Sequence, residues 1–356
     1  MNNLKICIYA ISKNEEQFVK RFYESIKEAD LVLLADTGST DQTVELAREC
    51  GIETYSISVS PWRFDIPRNT ALSLVPGDFD ICISLDLDEV MMPGWRQEIE
   101  RLWIPGTTTH MRYRYNWGND LEFSYEKIHH RHGYQWRNMC HEVLIADPRI
   151  QERWVESDQL LTVHLPDPSK SRGQYLDLLA ADVKDNPYNE RNALYYAREL
   201  NFNNRWQECI SAVDRYLGMP GATWSHERSY ALRYQGRSYQ AIGQFKSAEQ
   251  SFKRAQQSEP GIREPWVDLS LLYQITQQWA NSLDAAKRAL EISHREYFYT
   301  ADPAVWGSKP YDLAALASWH LGQKDQAVEY GLRAVELDPR DSRLAANLEW
   351  YQGKKQ

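Results

Sequence analysis

Nowhere in this 356-residue chain do twenty apolar residues run together, so it has no candidate membrane-spanning helix. Met1 to Lys5 lead straight into a strand-like segment, without the apolar stretch of a secretory leader. Cysteine is scarce: Cys7, Cys50, Cys82, Cys140 and Cys209 are scattered, odd in number and lack the paired spacing of a zinc site. That pattern excludes a disulfide framework, and the expected compartment is the reducing cytoplasm. Cys7 and Cys82 lie inside apolar strand patterns and read as small core residues. A basic surplus is also missing. Residues 1–166 hold 17 Lys and Arg against 26 Asp and Glu, whereas residues 167–356 hold 24 of each. An acidic first half argues against a broad phosphate-tracking surface and suits a site that recruits a metal ion.

What remains is an ordinary globular composition, 42% hydrophobic and 26% charged, long enough for two domains. The stretch Ile-Cys-Ile-Ser-Leu-Asp-Leu-Asp-Glu-Val-Met-Met, residues 81–92, organises the first half. Its apolar run stops at Asp86, with Asp88 and Glu89 just beyond. This is the pattern of a buried strand ending at a polar site, where ligands bind in open α/β sheets. Three carboxylates within four residues repel one another, and a hard divalent cation would offset them. The alternative reading is a turn in which Asp86 and Asp88 cap a helix.

Leu4 to Ile11 forms a first strand, and Ser12-Lys13-Asn14-Glu15-Glu16 opens a helix with apolar residues at Phe18, Val19, Phe22, Ile26 and Ala29. Leu31 to Ala35 is a second strand stopping at an aspartate, Asp36. A turn over 37–41 then caps a helix that ends at Gly51, and Ile52 to Val59 is a third strand. A helix over 68–74 follows Pro67. Strands alternating with helices imply βαβ units and a parallel sheet. Two strands thus end in aspartates at one sheet edge. A short helix then runs to Trp103, after which His110–Trp117 and Phe123–His130 alternate like antiparallel strands around Gly118-Asn119-Asp120. Val143–Ala146 and Leu160–Val163 read as further strands. Between His110 and His141 lie five histidines and seven aromatics interleaved with basic residues. This mixture suits sugar-ring stacking or nucleic acid, and equally strand aromatics packed on a helix.

From Pro168 onward the pattern is helical, placing the domain boundary between residues 167 and 168. Leu232, Gly236, Tyr239, Ala248, Phe252, Ala255 and Pro260 fit the tetratricopeptide repeat. Trp266, Leu269, Tyr273, Ser282 and Ala289 repeat most of the pattern 34 residues on. Ala327, Ala334 and Pro339 mark a further unit after an insertion around 295–309. Ala193, Tyr196, Leu200, Cys209 and Tyr216 make an earlier one, and Leu344–Tyr351 a capping helix.

These stretches resemble the family 2 glycosyltransferases of GT-A type, in the subgroup fused to tetratricopeptide repeats. The matching segments are residues 12–16, 36–41, Phe64-Asp65 with Arg68-Asn69, 85–89, Cys140-His141-Glu142-Val143 and Thr162-Val163-His164-Leu165. The implied fold class is α/β: a GT-A, Rossmann-like nucleotide-sugar domain over 1–167, followed by an all-α repeat domain over 168–356. Pro61-Trp62-Arg63, Ile66-Pro67 and Cys140 depart from the family pattern, on the side expected for the acceptor.

The resemblance implies a metal-dependent, inverting glycosyltransferase of the hexosyltransferase class using a nucleotide-diphosphate sugar, with uridine as the implied nucleotide. Asp36 would accept a hydrogen bond from the base, and Ser12, Asn14 and Glu15 would line base and ribose. Arg68 would hold the diphosphate, its alternative being a surface ion pair. Asp86 and Asp88 would position Mn²⁺ or Mg²⁺, a Lewis acid on the leaving group. His164 would complete the shell, imidazole suiting Mn²⁺ better, although a lone histidine is more often structural. Glu142 is the first choice for the base that takes the acceptor's proton and Glu89 the second. An ion pair with Arg137 or a neighbour is the plainer reading of Glu142. The implied acceptor is a surface glycan, lipopolysaccharide or peptide. A modified base in DNA is an alternative. So is a non-catalytic scaffold whose repeats bind a partner protein or self-associate.

Overall fold

The computed structural model describes residues 4–118, 121–167, 173–296 and 298–354. It forms two compact units, residues 1–178 and 179–356. The expected boundary borders residues 168–172, and the expected turn residues Asn119 and Asp120 also lie outside the described residues.

In the first unit, β1 (Ile6–Ser12), β2 (Leu31–Asp36), β3 (Glu53–Ser56) and β4 (Ile81–Ser84) are joined through α1 (Glu16–Ile26), α2 (Thr43–Glu49) and α3 (Asp65–Leu74). β1 pairs in parallel with both β2 and β4, and β2 with β3. The chain therefore winds outward on both sides of β1. The β1–β4 junction is the switch point at which such sheets leave a crevice beyond the strand ends. Helix formation follows the apolar spacing: Phe18, Val19, Phe22 and Ile26 make the buried face of α1. β1 serves two cores, as strand alternation requires. Ile6 and Ile8 pack with Phe22, Ile83 and Trp95. Cys7 and Tyr9 pack with Leu33, Leu72 and Cys82 on the other face. Burial pushes the Cys82 thiol up to about 12, as befits an inert core residue.

The sheet does not stay parallel. β6 (His110–Gly118) and β7 (Leu121–His130) form an antiparallel pair that joins the sheet through β7 against β4. β10 (Trp154–His164) lies parallel to β6, and β5 (Glu89–Met91) runs antiparallel along β10. The result is an eight-stranded mixed sheet in the order β3-β2-β1-β4-β7-β6-β10-β5. The βαβ pattern of the first 86 residues predicts only its parallel half. β10 is longer than the Leu160–Val163 segment expected, and its pairing with β6 shifts register between Ser157 and Leu161. α4 (Trp95–Leu102) follows β5. β8 (Tyr134–Arg137) and β9 (Val143–Ala146) make a separate hairpin, with Asn138 and His141 at positive φ in its loop.

The second unit is helical. α5 (Tyr175–Asp185) precedes four helix pairs: α6 (Glu190–Phe202) with α7 (Trp206–Leu217), α8 (Ser225–Ala241) with α9 (Phe245–Ser258), α10 (Glu264–Ile275) with α11 (Trp279–Glu291), and α12 (Lys309–His320) with α13 (Lys324–Leu337). α14 (Ser342–Tyr351) closes the series on α13. No described helix is long and apolar enough to cross a membrane. Small residues set the closeness of the pairs. A Cβ built on Gly236 of α8 would lie 2.4 Å from the Phe252 ring of α9, and both residues are buried. Gly236→Ala is therefore expected to lower unfolding free energy by about 1–3 kcal/mol through overpacking, outweighing its gain of roughly 1 kcal/mol in helix propensity. Chemical denaturation of the full chain reads the sign.

Candidate active site

Two groups of polar side chains sit beyond the carboxyl ends of β1, β2 and β4. In the first, β1–β2 register sets Ser12 opposite Asp36. The buried Asp36 carboxylate is fully used. Oδ1 accepts from Ser12 Oγ at 2.8 Å and Ser39 Oγ at 2.5 Å, and Oδ2 from the Gly38 and Ser39 amides at 3.0 and 2.9 Å. Burial alone would raise its pKa, but the donors from Ser39, Ser12 and Gly38 outweigh burial and hold it below the ordinary carboxylate range. Asn14, at φ 55°, binds the two loops together. Its amide donates to Ser39 Oγ at 2.8 Å, and its Oδ1 accepts from the Thr40 amide at 2.7 Å. The Glu15 amide donates to Thr43 Oγ1 at 2.7 Å. Ser12, Asn14, Glu15 and Asp36 are thus brought together as expected. Asp36 spends its carboxylate on shaping its own loop.

The second group is a charge cluster. Arg68 enters from α3 and is buried. Its Nη2 donates to Asp86 Oδ1 at 2.7 Å, its Nη1 to Ser84 Oγ at 3.3 Å and its Nε to Glu142. Lys127 of β7, only 4% exposed, contacts Asp86 Oδ2 at 3.1 Å and both Glu89 oxygens at 3.0 and 3.2 Å. Tyr115 Oη donates to Glu89 Oε1 at 2.7 Å, and the Asp86 amide to Glu89 Oε2 at 2.9 Å. Burial is the largest influence on both Asp86 and Lys127, yet their ion pairs outweigh it. Arg68 and Lys127 hold Asp86 below the usual carboxylate range, while Asp86 and Glu89 hold the Lys127 ammonium above its ordinary value. Glu89 moves the other way: burial raises its proton affinity, more than Lys127 lowers it.

This arrangement revises two expectations. Glu89 is 2% exposed with both oxygens engaged, which makes it the foundation of the cluster and no candidate for a base that must meet an acceptor. Arg68 spends three nitrogens on Asp86, Glu142 and Ser84, so the ion pair of Glu142 is with Arg68 and not Arg137. The loop carrying Glu142 is tied down beside it. Phe64 N donates to Met139 O at 2.9 Å, and Asn69 exchanges two 2.8 Å bonds with the Trp136 backbone.

Asp88 and His164 meet each other, Nε2 to Oδ2 at 3.2 Å, with Trp117 over the imidazole at 4.4 Å between ring centres. His164 Nδ1 is buried without a partner. Among the described residues no three His, Cys, Asp or Glu side chains already form a closed cage. The chemistry nonetheless suits a divalent ion. Four carboxylates here (Asp86, Asp88, Glu89 and Glu142) are set against two fixed cations, Arg68 and Lys127, leaving surplus negative charge. Asp88 and His164 form the oxygen and nitrogen donor pair that Mn²⁺ accepts. Asp86 is already shared between two protein cations.

Lys127 and Tyr115 were not anticipated from the sequence. The signal for Lys127 was the alternation in β7, where Tyr125, Lys127 and His129 fall on one phase. A lysine in phase with buried residues needs a buried anion. His129 itself sits under the site. Its Nε2 accepts from Tyr9 Oη (3.0 Å), which accepts from Trp136 Nε1 (2.8 Å), and its Nδ1 donates to His130 O (2.8 Å). Three arginines of the stretch are also paired. Arg112 pairs with Glu126, Arg114 with Glu122, and Arg131 donates to Val75 O. Tyr113, Tyr115, Tyr134 and Trp136 are buried, whereas Trp117 and the side chains of Arg112 and Arg114 remain partly exposed.

The class defined by this geometry is a Rossmann-like α/β domain with an acidic site at its strand ends. Residues 7–150 match the sequence model of the family described as "Glycosyl transferase family 2", and residues 308–341 that of a tetratricopeptide repeat. The first unit thus carries a family 2 glycosyltransferase domain, and the second carries tetratricopeptide repeat structure. An uncharacterized glycosyltransferase of Rickettsia prowazekii is 31% identical over 113 residues, 31% of this chain and 36% of the relative. One from Rickettsia typhi is 33% identical over 98 residues, covering 27% and 32%. The chain spans about a third of the length of these curated relatives. The solved structure of MamA aligns at 18% identity over 48% of this chain and 93% of its own, with a TM-score of 0.40.

Two outcomes follow. Lys127→Met leaves Asp86 and Glu89 buried beside each other with one cation fewer, and should cost about 3–5 kcal/mol of stability in urea unfolding. Burial, assisted by His110, His130 and Arg131, pushes the His129 pKa down to about 3. The unfolded chain, with its histidine near 6.5, binds this proton first. The stability tied to neutral His129 is therefore complete above pH 6.5 and is lost as pH falls toward 3, at up to roughly 1.4 kcal/mol per pH unit. Melting scans from pH 7 to 4 should show a shallower slope for His129→Gln than for the unsubstituted protein.

Proposed function

We propose that the first unit transfers a sugar from a nucleotide-diphosphate donor to an acceptor hydroxyl with inversion at the anomeric carbon. The observation carrying this reading is that one guanidinium, Arg68, bridges Asp86 at the end of β4 and Glu142 on the β8–β9 loop. Donor-side and acceptor-side carboxylates are thereby held at a fixed separation. Direct displacement needs a base on the face of the sugar opposite the leaving group, and Glu142 supplies it. The loop knot of Ser12, Asn14, Glu15 and Asp36 receives the nucleoside, uridine being favoured by the family resemblance.

Asp88 and His164 are the residues that would hold Mn²⁺ or Mg²⁺, with Asp86 oriented beside them by Arg68 and Lys127. The ion supplies charge neutralisation for the departing diphosphate. The residues do the rest. Arg68 fixes the direction of the Glu142 carboxylate through its Nε bond. Trp117, exposed over His164, offers an apolar ring face to a sugar. The acceptor class is a glycan or peptide hydroxyl.

A thermal-shift panel of UDP-, GDP- and CDP-sugars with and without Mn²⁺ tests the donor, since a ligand bound only by the folded state raises the melting temperature. No shift with any nucleotide diphosphate, metal present or absent, would leave only a scaffold. With a responding donor in hand, Glu142→Gln should keep the shift but lower sugar transfer or donor hydrolysis by ~10²–10⁴-fold. Asp88→Asn should remove the part of the shift that depends on Mn²⁺.

A further inference from the structure

The helical unit contains an irregularity that sugar transfer does not use. The first helices of successive pairs pack in series, α6 on α8, α8 on α10 and α10 on α12. They line a common face of the kind that binds extended segments in helical repeats. Where α9 passes to α10 in five residues, α11 passes to α12 through residues 292–308. That segment runs back to α10, α8 and α6. Glu296 meets His226 Nε2 at 3.2 Å. The Phe298 ring lies 4.2 Å from His226 and 5.4 Å, edge-on, from Trp224. The Tyr299 ring lies 5.9 Å from Trp224 and 6.1 Å from Tyr195 of α6, and its hydroxyl donates to Glu227. The Asp302 amide donates to Glu264 Oε1 at 2.9 Å, and its carboxylate lies 3.9 Å from Arg233.

These contacts are those of a bound peptide more than of a connecting loop. They alternate an acid on a histidine or arginine with an aromatic ring in an aromatic niche, and they reach helices of three different pairs. The anchorage is uneven. Val305, in the short helical turn Pro303–Trp306, is buried with Val267 and Leu313, and Arg263 holds Val305 O. Upstream, Glu296 is 41% exposed on its side chain. The fit is also incomplete: Glu264 is 2% exposed, yet its Oε2 has no partner, and an unsatisfied buried carboxylate oxygen is costly. An occupant that brought a donor to Glu264 would bind this face better than the resident segment does.

We infer that Glu296 and residues 298–302 are a built-in pseudo-ligand of the α6–α8–α10 face. They exchange with an extended partner peptide of the same chemistry: a run of aromatics between acids, as in the sequence from Glu296 through Tyr297-Phe298-Tyr299 to Asp302. The segment suppresses binding in proportion to the time it stays seated, because apparent affinity falls with the fraction of open face. Exposed Phe298 and Tyr299 would otherwise be an apolar liability, so seating the segment also protects the free protein.

The probe is a labelled synthetic peptide of residues 293–303, titrated into the full chain and into Phe298→Ala/Tyr299→Ala by fluorescence anisotropy. The inference expects binding to the double variant at least ~10-fold tighter than to the unsubstituted protein. Equal affinity for both overturns it, as does no binding to either while the variant keeps its helical circular dichroism. Should the variant unfold, hydrogen exchange of the unsubstituted chain decides. Saturating peptide is expected to speed exchange of the Asp302 amide while α8 and α10 amides hold, and an unchanged Asp302 rate overturns the inference. Both readouts are independent of sugar transfer.

Discussion

The charge cluster depends on a single guanidinium. Arg68 is buried on α3, and its planar fork reaches a serine and an aspartate at the end of β4 and a glutamate on a separate hairpin. A lysine could neutralise the same carboxylates but could not fix their directions, because an ammonium is a point charge on a flexible stem. The position of Asp86 relative to Glu142 is therefore set by the rigidity of one side chain, with α3 as its mount. Everything that steadies α3 steadies the site, including the paired bonds between Asn69 and the Trp136 backbone.

Buried ion clusters are a poor source of stability, since desolvation offsets most of the attraction. Their persistence at strand ends makes sense when the charges serve as oriented dipoles for chemistry. Lys127 shows how the cost is contained. It neutralises parts of two carboxylates at once, and Tyr115 and the Asp86 amide take up the oxygens that remain. Glu89 is the keystone of this arrangement, with Asp86, Lys127 and Tyr115 all leaning on it. Acidic clustering in the sequence marks where the buried charge cluster forms. It does not say which of three adjacent carboxylates is foundation and which is tool.

Much of the fold was legible because local periodicity and tertiary burial agree. β1, α1, β2 and β4 follow from apolar spacing and terminal aspartates, and the helix pairs follow from small residues at fixed offsets. What escaped is instructive. β5 is three residues long and lies within the acidic stretch, so its pairing with β10 leaves no periodic trace. The mixed character of the sheet is set by which strand inserts beside β4, a choice of long-range pairing that alternation does not encode. Asp88 with His164 was readable from motif order, and Arg68 with Glu142 was not. That pair lies 74 residues apart and depends on a two-stranded hairpin outside the main sheet. The interleaved basic and aromatic stretch left two readings open, and strand phase buries Tyr113 and Tyr115 while leaving Arg112, Arg114 and Trp117 partly exposed.

The register shift in β10 has a consequence for inheritance of the site. Before it, the more buried positions are Val155 and Ser157. Beyond it they are Leu160, Thr162 and His164, so the parity has changed from odd to even. Side chains alternate strictly along a strand, which means that the bulge alone decides whether His164 turns toward Asp88 or away. Residues 158–160 thus act as a phase-setting spacer. Substitutions at the exposed Asp158 and Gln159 leave the strand phase alone, whereas gain or loss of one residue rotates the whole distal strand by half a turn. This short irregularity within β10 therefore has little freedom to change length.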